Sequence, residues 1–138
     1  MIVQTQTTSF KAELYEGIHD LLTDEIKIAL YTALAEIGPS TLTYTTVNEV
    51  SGTGYTAGGK TLTPIAPATD TVNNTAYWSF NNVTWTGVSF TCRGALIYNS
   101  TTNAAVAVLD FGNDKTAGTN FTITFPTADY TSAIIRFS

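Results

Sequence analysis

The chain has 138 residues, a length that indicates a single domain with enough residues to bury a core. Its formal net charge is −5 and its six lysine and arginine residues are scattered, which argues against nucleic-acid binding because that requires clustered basic residues. No apolar stretch approaches the roughly 20 residues needed to cross a bilayer, and the first residues lack the pattern of a signal peptide. We therefore expect a soluble protein that binds neither nucleic acid nor membrane.

Threonine is the unusual residue of this chain. It occupies 27 of the 138 positions, whereas charged residues make up only 12%. Because threonine is β-branched, it disfavours helix and suits the half-exposed face of a sheet. The composition predicts a β-protein with neutral strand faces that suit packing against another protein. Cys92 is the single cysteine and is expected to be a small buried residue in a strand.

The N-terminal part predicts an arm followed by the only helix. Residues 1–8 are rich in threonine and glutamine and predict an arm or a first edge strand. The helix is predicted from about residue 9 to about residue 22, with Ser9 as its N-cap. Its apolar stripe has helical spacing and consists of Phe10, Leu14, Ile18, Leu21 and Leu22. Gly17 weakens the middle of this helix by about 1 kcal/mol relative to alanine.

The rest of the chain predicts short strands separated by turn residues. Residues 25–32 alternate, with Ile26, Ile28 and Leu30 on one face, and predict a half-buried strand. The later predicted segments are a central strand at 104–111, a loop at 112–120, and strands at 121–125 and 133–137. One helix followed by strands, without alternating β-α-β units, predicts a mainly β fold. We expect an antiparallel β-sandwich, jelly-roll-like, with one N-terminal α-helix in a single domain, 1–138.

A glycine-rich segment at residues 49–61 contains a match to a phosphate-binding loop. Residues 54–61 read GYTAGGKT and fit the pattern Gly-x-x-x-x-Gly-Lys-Ser/Thr. Such a loop needs a buried strand before it and a helix starting at the lysine. Here the preceding residues are polar, and Pro64 prevents a helix from following Lys60. Although Asp110 ends an apolar strand, as a magnesium ligand would, we expect no nucleotide site.

Other constellations for chemistry are equally weak. His19 is the single histidine, and with Cys92 it offers no metal-ligand cluster, so we expect no metal, no cofactor and no enzyme activity. Five carboxylates lie in or beside loops, where they usually form turns: Glu49, Asp70, Asp110, Asp114 and Asp129. Four aromatic residues are open to two interpretations, a glycan-stacking platform or packing in the core and between subunits: Tyr77, Trp78, Trp85 and Tyr98.

Several stretches of the sequence resemble a known class of protein. They are FKAELYEGIHDLLTDEIKIALYTA at 10–33, Tyr44-Thr45, GYTAGGKTLT at 54–63, GALIYN at 94–99, LDFG at 109–112 and FTITFPT at 121–127. Together they resemble the small virion structural proteins of tailed bacteriophages. The resemblance implies a virion component, and among these a head decoration (cement) protein, without catalytic residues. It also implies that GYTAGG belongs to a loop of a β-module.

These observations lead to one expected function and one alternative. We expect a noncatalytic decoration protein that is made in the host cytoplasm, assembles as a homotrimer and binds the major capsid protein on the capsid surface. The candidate contacts are the N-terminal arm and the glycine segment, together with the large aromatics, so the interface candidates are Gly54, Tyr55, Gly58, Gly59, Trp78 and Trp85. The alternative is a tail or fibre module that binds host glycans through the tyrosine and tryptophan cluster.

Overall fold

A computed structural model, which describes residues 1–137, shows a mainly antiparallel β fold with one short N-terminal helix. The predicted fold class is therefore confirmed, and the arrangement is sandwich-like. The elements in chain order are β1 (Thr5–Gln6), α1 (Thr8–Glu16), β2 (Ile26–Tyr31), β3 (Lys60–Thr61), β4 (Pro64–Asp70), β5 (Thr75–Phe80), β6 (Val83–Thr86), β7 (Phe90–Asn99), β8 (Ala104–Ala117), β9 (Asn120–Ile123) and β10 (Ile135–Phe137).

The strands form sheets of five, three and two strands. The largest sheet has the order β1-β8-β7-β2-β3, the second β10-β5-β4, and the third β6-β9. All pairings between these strands are antiparallel. β8 lies between β1 and β7, so the prediction of a central strand at 104–111 is confirmed. β4, which contains Pro64 and Pro67, lies at an edge, where a missing N–H does not interrupt a ladder.

The main core lies between the five-stranded sheet and the other two sheets. The five-stranded sheet contributes alternate residues of its central strands, and α1 adds Phe10, which is fully buried. The opposing sheets contribute mainly aromatic and aliphatic side chains. The most deeply buried of these opposing residues are Trp78, Phe80, Trp85, Ile123 and Ile135. Burial of apolar area of this extent is the dominant stabilising contribution to a domain of this size.

The other face of the five-stranded sheet is also buried, which corrects the prediction that residues 25–32 form a half-buried strand. Ala29 and Tyr31 of β2 point to this second face and are fully buried. They are covered by Ile2 of the N-terminal arm and by Ala35 and Ile37 of the long segment 32–50. The prediction counted only the alternating isoleucines and Leu30, and it missed a covering layer built by residues without regular structure.

The helix is shorter than predicted. It ends at Glu16 because Gly17 adopts a left-handed conformation with φ 72°, a typical helix C-cap. Thr7, not Ser9, is the N-cap, and its side chain accepts a hydrogen bond from the Phe10 N–H. Leu22, predicted on the buried stripe, is 72% exposed. Within residues 1–137, no helix has the length and apolar character required to cross a membrane.

Residues 112–120 were predicted as a loop, and this prediction is wrong for most of the segment. β8 continues through this polar stretch to Ala117, paired with the first residues of β7. Thr91 and Thr116 face each other across this pairing with their hydroxyl oxygens 3.0 Å apart. Residues 112–116 of β8 are exposed, whereas Phe90 and Cys92 of the paired β7 segment are buried. Cross-strand pairing here outweighs the turn preference of the Gly-Asn-Asp sequence.

The environment of Cys92 predicts an unreactive thiol. Its side chain is fully buried in β7, which confirms the sequence prediction, and burial raises the pKa of the thiol to about 12. Since the thiolate is the reactive form, we expect a thiol-specific reagent to leave the folded protein unmodified and to label it fully in urea. Mass spectrometry after timed labelling measures this. Labelling of the folded protein at the rate of a free cysteine would contradict the burial.

Candidate functional site

The glycine-rich segment 49–61 is held against the sheet at both ends and in its middle. At its start, Glu49 bridges to Tyr31 on the edge of β2, and at its end β3 pairs with the same edge of β2. In its middle, Thr53 forms a bridge with Ser89, which precedes β7. The segment is a docked part of the fold.

The glycines of this segment are used inside the molecule. A Cβ atom added to Gly59 would lie 1.8 Å from the carbonyl oxygen of Ile28, far closer than any real contact. A Cβ on Gly54 would lie 2.7 Å from the carbonyl oxygen of Gly87. Both glycines have positive φ, as does Gly58. The absence of a side chain allows the segment to approach the neighbouring backbone, which is a structural role.

Glu49 is the centre of the polar contacts that hold the segment. One carboxylate oxygen accepts hydrogen bonds from the Tyr55 hydroxyl at 2.6 Å and from the Gly58 N–H at 2.8 Å. The other accepts a hydrogen bond from the Tyr44 hydroxyl at 2.6 Å. The Tyr55 oxygen in turn accepts a hydrogen bond from the Leu30 N–H at 2.9 Å. One carboxylate thus joins the segment, the covering layer and β2.

Two more tyrosines complete this cluster. The Tyr98 hydroxyl donates to the carbonyl oxygen of Gly58 at 2.8 Å, and its ring is stacked on Tyr44 with centroids 4.7 Å apart. Tyr31 donates to the carbonyl oxygen of Thr45 at 2.5 Å. We call the group formed by Glu49, Tyr31, Tyr44, Tyr55 and Tyr98 the Glu49 cluster.

The electrostatics of the Glu49 cluster keep its hydroxyl groups protonated. Burial raises the pKa of Tyr31, Tyr44 and Tyr55, and the neighbouring Glu49 carboxylate raises each of them further. Burial followed by the Glu49 charge raises the pKa of Tyr98 to about 12. A protonated hydroxyl donates a hydrogen bond, so near neutral pH these tyrosines act as donors and not as bases or nucleophiles.

The raised tyrosine pKa values predict a loss of stability in alkali. A group whose pKa is higher in the folded state stabilises that state below its unfolded pKa and loses this contribution as the pH rises. We therefore expect the free energy of unfolding to fall as the pH rises from about 10, the ordinary tyrosine value, through about 12. Urea unfolding at successive pH values measures this, with tyrosinate absorbance as a second signal. A constant free energy of unfolding across this range would contradict the prediction.

The geometry around Lys60 differs from that of a phosphate loop. Lys60 and Thr61 form strand β3 and not the first turn of a helix. The Lys60 ammonium donates to the carbonyl oxygen of Thr84 at 2.6 Å and lies 6.0 Å from the ring centre of Trp85. Asp110, the possible magnesium ligand, accepts hydrogen bonds from Gly112 N–H and Arg93. In the part of the chain that the structure describes, no three metal-ligating side chains lie together.

The two tryptophans are core residues, which corrects their assignment as surface contacts. Each is 2% exposed. The ring centre of Trp85 lies 6.4 Å from that of Tyr55, so Trp85 is close to the interface candidates of the glycine segment. Trp78 lies elsewhere, in the three-stranded sheet, with its ring centre 4.5 Å from Phe80. Tyr98 is also buried, at 4% exposure, so these rings offer no flat platform to a sugar.

A second polar cluster involves His19, the single histidine. The Asn99 side-chain amide donates to Asp24 at 2.6 Å and lies 2.9 Å from Nδ1 of His19. The Asn99 oxygen accepts hydrogen bonds from the backbone N–H groups of Thr101 and Thr102. The cluster closes the β7–β8 turn and ties it to the segment after α1. We therefore interpret the cluster as structural, and no serine or cysteine nucleophile belongs to it.

Comparison with protein-family models, with curated proteins and with solved structures finds no match to this chain. Its function is therefore inferred from its residues and their geometry.

Proposed function

We propose that this chain is a noncatalytic structural protein of a tailed-bacteriophage virion, and that it decorates the capsid surface as a cement protein. The observation that carries the proposal is the sequence resemblance at residues 10–33 and 54–63. These residues supply most of α1, all of β2, most of the glycine segment and β3. The resemblance at these positions therefore covers the helix and the β2–β3 side of the five-stranded sheet.

The covering segment 32–50 offers a surface for a partner. Three of its apolar side chains are largely exposed: Leu34 at 74%, Leu42 at 65% and Val47 at 67%. Met1 of the N-terminal arm is 74% exposed, and the arm is joined to this segment by the bridge between Ile2 and Ile37. Exposed apolar side chains on one layer support the proposal that this layer contacts the capsid or another subunit.

Charge supports the same kind of partner. The net charge of −5 favours a capsid surface with basic patches, and few charges on the strand faces reduce the electrostatic cost of packing subunits side by side. A cement protein stabilises a shell by adding contacts across the joints between capsomers. We propose a homotrimer for this role, bound to the major capsid protein.

The decisive experiment locates the chain on the particle. Quantitative mass spectrometry of purified virions should find it at hundreds of copies per particle, and electron microscopy should show it on the head. Loss of the gene should leave particles that release DNA at lower temperature. Absence of the chain from virions would disprove the proposal, and a few to dozens of copies would assign it to the tail.

The oligomeric state is tested on the purified protein. Light scattering coupled to gel filtration should give a mass three times that of the 14.8 kDa chain. Leu42→Ser should lower the trimer fraction or capsid binding, whereas Val72→Ser, which changes an even more exposed apolar side chain in the β4–β5 turn, should not. Equal effects of the two substitutions would contradict the assignment of the covering segment as the contact.

The alternative, a tail or fibre module that binds host glycans, requires exposed aromatic faces. Of the four aromatic residues, Trp78, Trp85 and Tyr98 are buried, and Tyr77 alone is partly exposed, which is too little for a stacking platform. A glycan array probed with the purified protein tests this alternative directly, and binding of a glycan would support it.

A further inference from the structure

An apolar cavity lies between α1 and the sheet β10-β5-β4. Its volume is about 140 Å³. Its walls include Leu14, Leu21, Ala76, Trp78, Ile135 and Phe137. The cavity is open to solvent on one side, and a lining of such residues suits an apolar group of matching size. The volume suits one leucine or phenylalanine side chain.

One wall of the cavity carries an unused hydrogen-bond donor. The indole Nε1 of Trp78 is buried and has no hydrogen-bond partner among the described residues. Buried donors without a partner are uncommon and costly in folded proteins, at about 1–3 kcal/mol each. Because the Trp78 ring lines the cavity, its N–H reports on the surroundings of that ring.

A cationic groove adjoins the cavity. It is lined by Gln6, Lys11, Arg136 and Phe137, and Phe137 belongs to both. Lys11 and Arg136 are two of only six basic residues in the chain. Within residues 1–137 neither forms an ion pair with a carboxylate, and Arg136 donates to the carbonyl oxygen of Thr131. The groove is therefore a local positive site on an acidic protein.

We propose that the cavity and the cationic groove together bind a segment of a partner polypeptide, in which an apolar side chain enters the cavity and a neighbouring carboxylate meets Lys11 and Arg136. The charge pattern supports this occupant, because a carboxylate is attracted here and repelled by the acidic remainder of the surface. The inference rests on the proposed function in one respect, that the partner belongs to the capsid shell. The binding chemistry itself is independent of that assignment.

The test uses blocked tripeptides as probes with the isolated full chain. The probe is N-acetyl-Glu-Phe-Glu-amide, and the matched controls are the Lys-Phe-Lys and Glu-Ser-Glu peptides. The readout is the indole N–H resonance of Trp78 in proton–nitrogen correlation spectra, with the Trp85 resonance as an internal reference. We expect Glu-Phe-Glu to shift the Trp78 resonance at millimolar concentration and both controls to bind about tenfold more weakly, the loss expected when either contact is removed.

Variants identify the two halves of the site. Ala76→Leu fills the cavity from an exposed strand position and should abolish the shift. Lys11→Gln should weaken binding about threefold, whereas Lys115→Gln, which removes a charge of the same kind from the distant exposed part of β8, should not. Both lysines are exposed, so neither substitution threatens folding.

Three results would overturn the inference. The first is no Trp78 shift with any peptide, and the second is equal binding of Glu-Phe-Glu and Lys-Phe-Lys. The third is a shift that depends on protein concentration without peptide, which would assign the cavity to a second copy of the chain. If the peptide binds as expected but virions lack the protein, only the proposed function fails.

Discussion

Gly59→Ala is expected to leave the chain largely unfolded. The added Cβ would lie 1.8 Å from the carbonyl oxygen of Ile28 and 2.9 Å from the Cα of Ala29, both backbone atoms of β2. β2 pairs with β7 along its whole length and cannot move aside without breaking the sheet. The positive φ of 76° adds strain for alanine. We expect a loss of more than about 4 kcal/mol, a large part of the roughly 5–15 kcal/mol of a typical domain.

Urea unfolding followed by circular dichroism measures this loss. The matched control is Gly118→Ala, since a Cβ at Gly118 meets nothing within 4 Å and its φ is not positive. The control should change the free energy of unfolding by less than about 1 kcal/mol. Similar unfolding midpoints for the two variants would show that the segment does not approach β2 as closely as described.

Glu49→Ala is expected to have the second largest effect. It removes the acceptor of three hydrogen bonds at once, those from Tyr44, Tyr55 and the Gly58 N–H. Each donor would be left partly buried without its partner, and hydrogen bonds to a charged acceptor contribute more than neutral ones. We expect a loss of about 3–5 kcal/mol in the free energy of unfolding.

Glu49→Gln separates the hydrogen bonds from the charge. Glutamine keeps one acceptor oxygen at a similar position, so the loss should be about half that of the alanine variant. Glu16→Ala, an exposed glutamate in the last turn of α1, is the control for removing a carboxylate and should be near neutral. Equal and small effects at both positions would show that the Glu49 cluster does not hold the segment.

The fold class could be predicted because its evidence is local. Alternating apolar residues, turn residues and abundant threonine indicate strands, whichever strand each one pairs with. The predictions that proved wrong concern contacts between segments that are distant in the sequence. The second face of β2 is covered by residues 32–50, which have no regular pattern of their own. β8 continues beyond residue 111 because β7 pairs with it, and a polar sequence alone does not reveal a partner strand.

Only part of the Glu49 cluster and the glycine segment could be recognised from the sequence, because only local patterns are visible there. Gly54, Tyr55, Gly58 and Gly59 were identified as special because glycine and a phosphate-loop pattern are visible in sequence. Glu49 was noted only as a loop carboxylate, because its partners come from three separate segments. The tryptophans were misplaced because sequence cannot distinguish a ring that stacks on a ligand from one that packs under a sheet.

The docking of the glycine segment has a practical consequence for inserting foreign peptides into this protein. A glycine-rich stretch is the conventional place for an insertion, since such loops usually tolerate added residues. Here an insertion between Tyr55 and Gly58 would separate two donors that share one carboxylate oxygen. The β4–β5 turn is the better position, since Val72 at its tip is 87% exposed and the turn is closed locally by Asp70 and Asn73. A tag placed there adds residues outside the cooperative unit that unfolds with the sheet.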